Sequence, residues 1–244
     1  MEFLGPIDVF IREVNEANNI EMLTLALRKH VDLLGFERFS YQLLKSPEGP
    51  RPNLYLNSYP AEWTKRYVEQ NHVSNDMISR FAARVVRPFS WLEVGRFDDL
   101  TEDQKSVFNE ASEFGIKIGG TVPIHGPGLA KALFTVVSGL PDAEFTKLFA
   151  ARRHEVQIMA TYAHERLMAL GMLNPLPSNL KLTPRELEIM TWAARGKTRW
   201  ETSEVLSLSQ ATVKSHLDNA CRKLNASNKT HATAVALIHG LIVP

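Results

Sequence analysis

The sequence predicts an α/β protein of two domains: an N-terminal α/β/α sandwich with an antiparallel sheet, then a C-terminal all-α four-helix domain containing a helix-turn-helix. Three observations lead there. Helical and strand-like periodicities alternate over roughly the first 170 residues, in the order two helices, a hairpin, helices and a second hairpin. The stretch 172–180, MLNPLPSNL, carries two prolines and no periodicity, and reads as a linker. From Leu182 onward only helical periodicity remains, punctuated by capping signals. The resulting boundaries are 1–171, 172–180 and 181–244.

Residues 6–34 read as two helices, with apolar positions at Ile7, Phe10 and Val14 and then at Ile20, Leu23, Leu27 and Val31; Gly35 ends the second. Phe39, Tyr41 and Leu43 alternate through a strand over 36–44. The turn cluster SPEGPRPN follows, and 54–59 returns as the second strand of a hairpin. Pro60 opens a helix whose Trp63 and Tyr67 share a face with Tyr59 at its start. A short helix begins at Asp76, and Arg87-Pro88-Phe89-Ser90-Trp91 comes next. Thr101 and Gln104 form a capping box for a helix that runs to Phe114 and stops at Gly115. The strongest strand signals, 116–125 and 130–138, are joined by a Gly-Pro-Gly turn. A long helix over 142–170 has apolar Leu148, Ala151, Ile158, Tyr162 and Met168 on more than one side, which marks it as a dimer contact.

In the tail, Thr183, Pro184 and Glu186 spell a capping box with proline at the first helical position. That helix turns Leu187, Met190, Ala193 and Ala194 inward and stops at Gly196. A second helix spans about 198–206. The turn Ser207-Leu208-Ser209 follows, and Ser209 caps a third helix ending near Leu224. Val213, Leu217, Ala220, Cys221 and Leu224 form the apolar stripe of this third helix, while Gln210, Lys214, Ser215, Asp218 and Arg222 occupy the opposite face. Short helix, tight turn and longer helix with a polar outer face is helix-turn-helix geometry, whose second helix enters the major groove. A fourth helix, about 228–241, buttresses the core through Ala232, Val235, Ala236 and Ile238.

Composition narrows the function. No apolar run reaches the length of a membrane span, and the start MEFLGPIDVFIREV lacks the basic region and cleavage site of an export signal, so a cytoplasmic protein without a membrane partner is expected. A single cysteine forms no internal disulfide, and Cys221 sits on an apolar stripe. The net charge of +1 conceals an asymmetry: residues 180–244 hold nine basic against five acidic residues, the remainder 19 against 22. The excess of positive charge lies where a nucleic-acid surface is predicted. The eight histidines form no metal-binding spacing, and there is no GxSxG, P-loop or GxGxxG sequence, so neither an enzyme, a metal site nor a cofactor is expected.

The tail resembles the DNA-binding domain of the LuxR family of bacterial regulators over its whole length, through LTPRELEIM, ARGK, SLSQATVKSHLDNACRKLNASNKTHA and ALIHGLI. Family marker positions fall on Glu186 and Gly196, and a marker leucine is Met190 here, a swap that conserves volume. The resemblance implies DNA contacts by Lys197, Thr198, Gln210, Thr212, Lys214, Ser215, Asp218, Arg222 and Lys229, made by a homodimer on a palindromic promoter site in double-stranded DNA. RNA polymerase is a further partner if the protein activates.

Tyr59, Trp63, Tyr67, Asp76 and Trp91 taken alone read as core aromatics and a helix-capping acid. The segments YPAEWTKRY, SNDMI, RPFSW, ASEFGIKIGGTVPI and LFTVVS are, however, similar to the autoinducer-binding domain of LuxR-type quorum-sensing regulators. That likeness implies an N-acyl- or aroyl-homoserine lactone as small-molecule ligand. Trp63 would donate to the lactone carbonyl, Asp76 would accept from the amide N–H, and Tyr59 would donate to the amide-side carbonyl. Tyr67 and Trp91 would wall the ring, Thr135 would contact the acyl amide, and Gly119 would allow close approach on a strand. Where the family has proline after the aspartate this chain has Met77, which leaves the acyl substituent open. Two rivals share parts of the pattern. A phosphorylated response regulator would show alternating βα units, and a regulator of the same fold could answer to a different small molecule.

Overall fold

Five strands make one antiparallel sheet among the described residues, which are 5–45, 55–95, 99–126, 131–172 and 181–244 of a computed structural model. They are β1 (Arg38–Lys45), β2 (Tyr55–Asn57), β3 (Phe89–Ser90), β4 (Ile118–His125) and β5 (Lys131–Ser138), in the order β2-β1-β5-β4-β3. Helices α1 (Pro6–Glu16), α2 (Ile20–Leu33) and α6 (Asp142–Ala169) share one core with the sheet face that carries Phe39, Tyr41, Phe134 and Val136. The opposite face, with Leu133 and Val137, packs under α3 (Ala61–Glu69), α4 (Met77–Ala82) and α5 (Glu102–Glu113). This is the expected α/β/α sandwich. Strand β3 is too short for its alternation to be read; it pairs Phe89 with Thr121 and Ser90 with Gly120.

Two adjacent glycines set the spacing of the layers. A Cβ on Gly119 would lie 2.7 Å from Cε2 of Trp91, and one on Gly120 would lie 2.1 Å from Cε2 of Phe149. Successive strand residues point to opposite faces, so one glycine admits Trp91 on one side of β4 and the other admits α6 on the far side.

The apolar breadth of α6 is used inside the unit. The helix packs on β4 and β5 and also on α1 and α2, and Leu148, Tyr162 and Met168 lie against that core. Of the five positions assigned to a dimer contact, Ala151 and Ile158 are exposed and the other three are half-buried. The predicted turn over 46–53, the tip of the 126–128 turn and the linker from 173 onward lie outside the described residues.

Residues from 181 form a separate compact unit of four helices: α7 (Pro184–Ala194), α8 (Arg199–Leu206), α9 (Gln210–Lys223) and α10 (Lys229–Ile238). Thr183 accepts the Glu186 N–H at 3.3 Å, and its own N–H donates to Glu186 Oε2 at 2.7 Å, closing the predicted box. Gly196, at φ 80°, ends α7, and the next N–H, of Lys197, reaches back to the Trp192 carbonyl at 3.0 Å. Thr198 caps α8 from outside rather than beginning it. Helix α10 stops at Ile238, three residues short of the expected end. Gly240 turns left-handed at φ 64°, and the Leu241 N–H bonds to the Ala236 carbonyl at 2.9 Å. Met190 is fully buried with Ile189, Val213, Leu217 and Ala236, so methionine fills the marker position.

Candidate functional site

Between the sheet and the α3–α4–α5 layer lies a cavity of about 680 Å³, counted with the open space at its mouth. Tyr59, Trp63, Tyr67, Asp76, Trp91 and Thr135 all line it. They come from five different segments, and the fold brings them together. Ile78, Val107, Phe108, Ala111, Ile116 and Leu133 supply apolar walls, while Ser40, Gln42, Asn57 and Thr64 add polar groups that the sequence reading missed.

Asp76 has two roles. Its Oδ1 accepts the Ile78 N–H at 2.8 Å, so it caps α4, and its Oδ2 accepts the hydroxyls of Tyr67 and Ser79, each at 2.8 Å. Met77 occupies the first helical position, where proline is tolerated but not needed, and the cap forms without it. With one protein donor on Oδ1, the carboxylate retains capacity for a further N–H.

Trp63 is buried, stacked on His72 with centroids 5.7 Å apart and set edge-on to Tyr67 at 5.6 Å. Its indole N–H makes no hydrogen bond among the described residues. Behind it, His72 Nε2 approaches Glu110 Oε2 at 3.4 Å without hydrogen-bond alignment. Burial pushes the Tyr59 phenol well above the usual tyrosine range; a hydrogen bond with Ser40 opposes this and the Asp76 charge adds to it. The phenol therefore stays protonated and can donate.

The floor follows from strand register. Asn57 pairs with Ser40, Ser40 with Thr135, and Thr135 with Thr121, so four small polar residues cross β2, β1, β5 and β4 in one row. Trp91 Nε1 donates to Thr121 Oγ1 at 3.0 Å, and Thr121 Oγ1 lies 3.0 Å from Thr135 Oγ1. Alternation in single strands hints at the polar positions. Only the pairing shows that they are neighbours.

In the C-terminal unit, Gln210, Lys214, Ser215, Asp218 and Arg222 are exposed along the outer face of α9, opposite buried Val213, Leu217 and Ala220. Arg222 donates to Asn219 Oδ1 at 3.1 Å, and the proposed DNA contacts outside this face are engaged as well. Thr212 is half-buried, its N–H and hydroxyl both bonded to Ser209. Lys197 pairs with Glu201 at 3.0 Å, Lys229 donates to the Lys197 carbonyl at 3.2 Å, and the Thr198 N–H and hydroxyl both donate to Glu201. The Thr198 N–H first, then the Lys197 ammonium, hold the Glu201 carboxyl down to about 2.

A cavity with fixed donors and a carboxylate in one unit, and a helix-turn-helix with a free polar face in the other, define a ligand-responsive DNA-binding regulator. Residues 19–167 match the autoinducer binding domain family, and residues 180–236 match the bacterial regulatory proteins of the LuxR family. The quorum sensing-dependent transcriptional regulator RpaR of Rhodopseudomonas palustris is 39% identical over 85% of this chain and 83% of its own. The transcriptional activator BjaR1 of Bradyrhizobium diazoefficiens is 32% identical over 100% of this chain and 96% of its own. The crystal structure of Escherichia coli SdiA superposes with a TM-score of 0.75 at 21% identity, covering 98% of both chains; a second SdiA structure, in complex with octanoyl-rac-glycerol, gives the same score at the same identity over 100% of this chain and 99% of its own. The chain belongs to the LuxR family of quorum-sensing transcriptional regulators, which are regulators and not enzymes, and its autoinducer-binding domain takes a small-molecule signal rather than a cofactor. Among the described residues no helix is long and apolar enough to cross a membrane.

Proposed function

We propose that residues 1–171 bind an N-acyl- or aroyl-homoserine lactone, that 172–180 serve as linker, and that 181–244 carry the chain onto a palindromic operator as a homodimer. The protein works in the cytoplasm, and RNA polymerase is its partner where it activates. One observation carries the reading: six side chains chosen for a lactone amide line one cavity, with the Trp63 N–H unbonded among the described residues and Asp76 able to accept. A lactone amide has one donor and two carbonyls, which these groups match. Trp63 takes the lactone carbonyl, Asp76 the amide N–H and Tyr59 the amide carbonyl, with Tyr67 and Trp91 against the ring. On DNA, Lys214 and Asp218 read bases while Lys197, Thr198 and Lys229 lie along phosphates, and half-sites about 34 Å apart suit a site of roughly 18–20 base pairs.

A ligand that binds only the folded state, at about 100 times its Kd, stabilises it by about 2.7 kcal/mol. Straight, branched and aromatic lactones are therefore expected to raise the melting temperature in proportion to dose, and mass spectrometry of the extracted ligand identifies the acyl group. No shift with any lactone, or a shift only with a monoacylglycerol, overturns the lactone assignment.

A further inference from the structure

One corner of the cavity is polar where a plain hydrocarbon tail would need an apolar wall. Ser40, Gln42 and Asn57 share the cavity face of β1 and β2: Asn57 pairs with Ser40, and Gln42 follows two residues along β1, opposite Leu133 of β5. Gln42 is only 7% exposed. Thr64 of α3 joins this corner through its hydroxyl, which donates to Asn57 Oδ1 at 3.3 Å. The orientation of the Asn57 amide is fixed, because Oδ1 also accepts the Tyr59 N–H at 2.9 Å. A backbone N–H only donates, so the amide cannot be turned over, and Nδ2 is the end left over. That nitrogen has no acceptor among the described residues, while Asn57 lines the cavity. Asn57, Tyr59 and Thr64 also line an open surface groove, so the cavity meets the outside at this corner. A polar ligand atom loses least hydration there.

We infer that the acyl group of the ligand carries an oxygen at its far end, and that Asn57 is the specificity-determining residue that donates to it. The inference deepens the lactone reading and rests on it. Across the sheet Asn57 stands two strand spacings from Thr135, about 9–10 Å. An oxygen that meets Asn57 is therefore several bonds beyond an amide lying at Thr135. A plain chain of the same length would cover the Asn57 N–H groups without answering them, and an unanswered donor counts against binding.

The test uses the full chain and lactones matched in pairs of equal shape: aroyl groups bearing a para methoxy or a para ethyl, and straight chains with an ether oxygen or a methylene near the far end. An ether oxygen accepts and never donates, so it reports on the Asn57 donor alone. In calorimetry the wild type is expected to favour the oxygen-bearing member of its best-bound pair by about five- to ten-fold, the size of one hydrogen bond. Asn57→Asp keeps an oxygen for the Tyr59 N–H and the Thr64 hydroxyl and exchanges the amide donor for an acceptor. It should abolish that preference and leave the oxygen-free lactones within about two-fold of their wild-type affinity. If the wild type is indifferent or prefers the oxygen-free members, or if Asn57→Asp keeps the preference, the inference is wrong. An equal loss for every lactone in Asn57→Asp would mean that the amide only braces the turn into α3, which also overturns it. A wild type that binds no lactone of either kind would instead remove the underlying reading.

Discussion

In the C-terminal unit the buried Glu186 carboxylate is answered at home: Thr183 donates to it at 2.7 Å and Lys223 at 2.7 Å. In the N-terminal unit the buried Trp63 side chain lines a cavity, and its N–H has no protein acceptor among the described residues. The first unit completes its own hydrogen bonds and turns its free charges outward on α9. The second leaves the Trp63 donor inside, to be completed by something that enters. Since unanswered buried donors destabilise a fold, the contrast predicts that the sensor half depends on its ligand and the DNA-binding half does not.

The contrast is sharpest where Glu186 is removed. Glu186→Ala deletes the cap partner of Thr183 and strands Lys223, which is only 29% exposed as a side chain. Breaking a buried pair costs more than its Coulomb attraction, and partial exposure of the lysine moderates the loss to about 3 kcal/mol. Hydrogen exchange on the full chain should speed up across α7 and α9 while β4 and β5 remain protected. Equal loss of protection in both halves would break the separation.

Acid should reverse the order of vulnerability. His164 is buried, with Nδ1 2.7 Å from the Tyr41 hydroxyl and Nε2 unpartnered, and burial pushes its pKa down to about 4. The unfolded chain takes up the proton near the ordinary value of about 6.5, so the folded state loses stability as pH falls from there to about 4, by on the order of 2–3 kcal/mol. For Glu186 burial works upward, but the bonds from Lys223 and Thr183 outweigh it and leave the carboxyl lowered. Its contribution is present above the usual carboxylate range and lost only below it. At pH about 5 the N-terminal unit should therefore be weakened first. Denaturation against pH, with His164→Phe as the variant that flattens the slope of that unit alone, checks this.

Which parts were legible in the sequence follows from the same division. Capping boxes at Thr101, Thr183 and the Ser209 cap lie within four residues of chain, so the helices they start could be read directly. The six aromatic and polar cavity residues were reached through resemblance, since their types alone also fit a core. Ser40, Asn57 and Thr121 were missed because a polar residue alternating along a strand looks the same whether it faces water or a cavity. Pairing over long sequence separations decides that. Three of the five apolar positions that marked α6 as a dimer contact pack within the unit for a related reason: a helix covered by a sheet and by two other helices is apolar on several sides on that account alone.

Asp76→Asn separates cap from ligand contact within the sensor half. Asparagine caps as well as aspartate, so the ligand-free protein should keep its stability to within about 0.5 kcal/mol. A hydrogen bond to a charged acceptor contributes about 1.5–3 kcal/mol, so lactone affinity should fall by at least about ten-fold. Calorimetry with and without lactone distinguishes the two. A ligand-free loss as large as the binding loss would mean that the Tyr67 and Ser79 hydroxyls on Oδ2, and not the ligand, set the requirement for a carboxylate.

The smallest effect tests the outward face. Lys214 is exposed on α9 and makes no ion pair among the described residues, whereas Lys197 is already neutralised by Glu201 at 3.0 Å. A single ammonium on a base edge discriminates by about 1 kcal/mol, so Lys214→Ala should relax preference at one base pair in each half-site. Lys197→Ala should weaken all operators alike, and by less than a free lysine would, because DNA must first compete with Glu201. Glu201→Gln sharpens the distinction: it releases Lys197 and should steepen the salt dependence by about one ion per protomer without altering base preference. Binding to a set of single-base operator variants at two salt concentrations reads both quantities. Identical base preferences in Lys214→Ala and Lys197→Ala would reduce α9 to a diffuse positive surface, and the two halves of the chain would then differ in their ligand but not in the precision with which they recognise it.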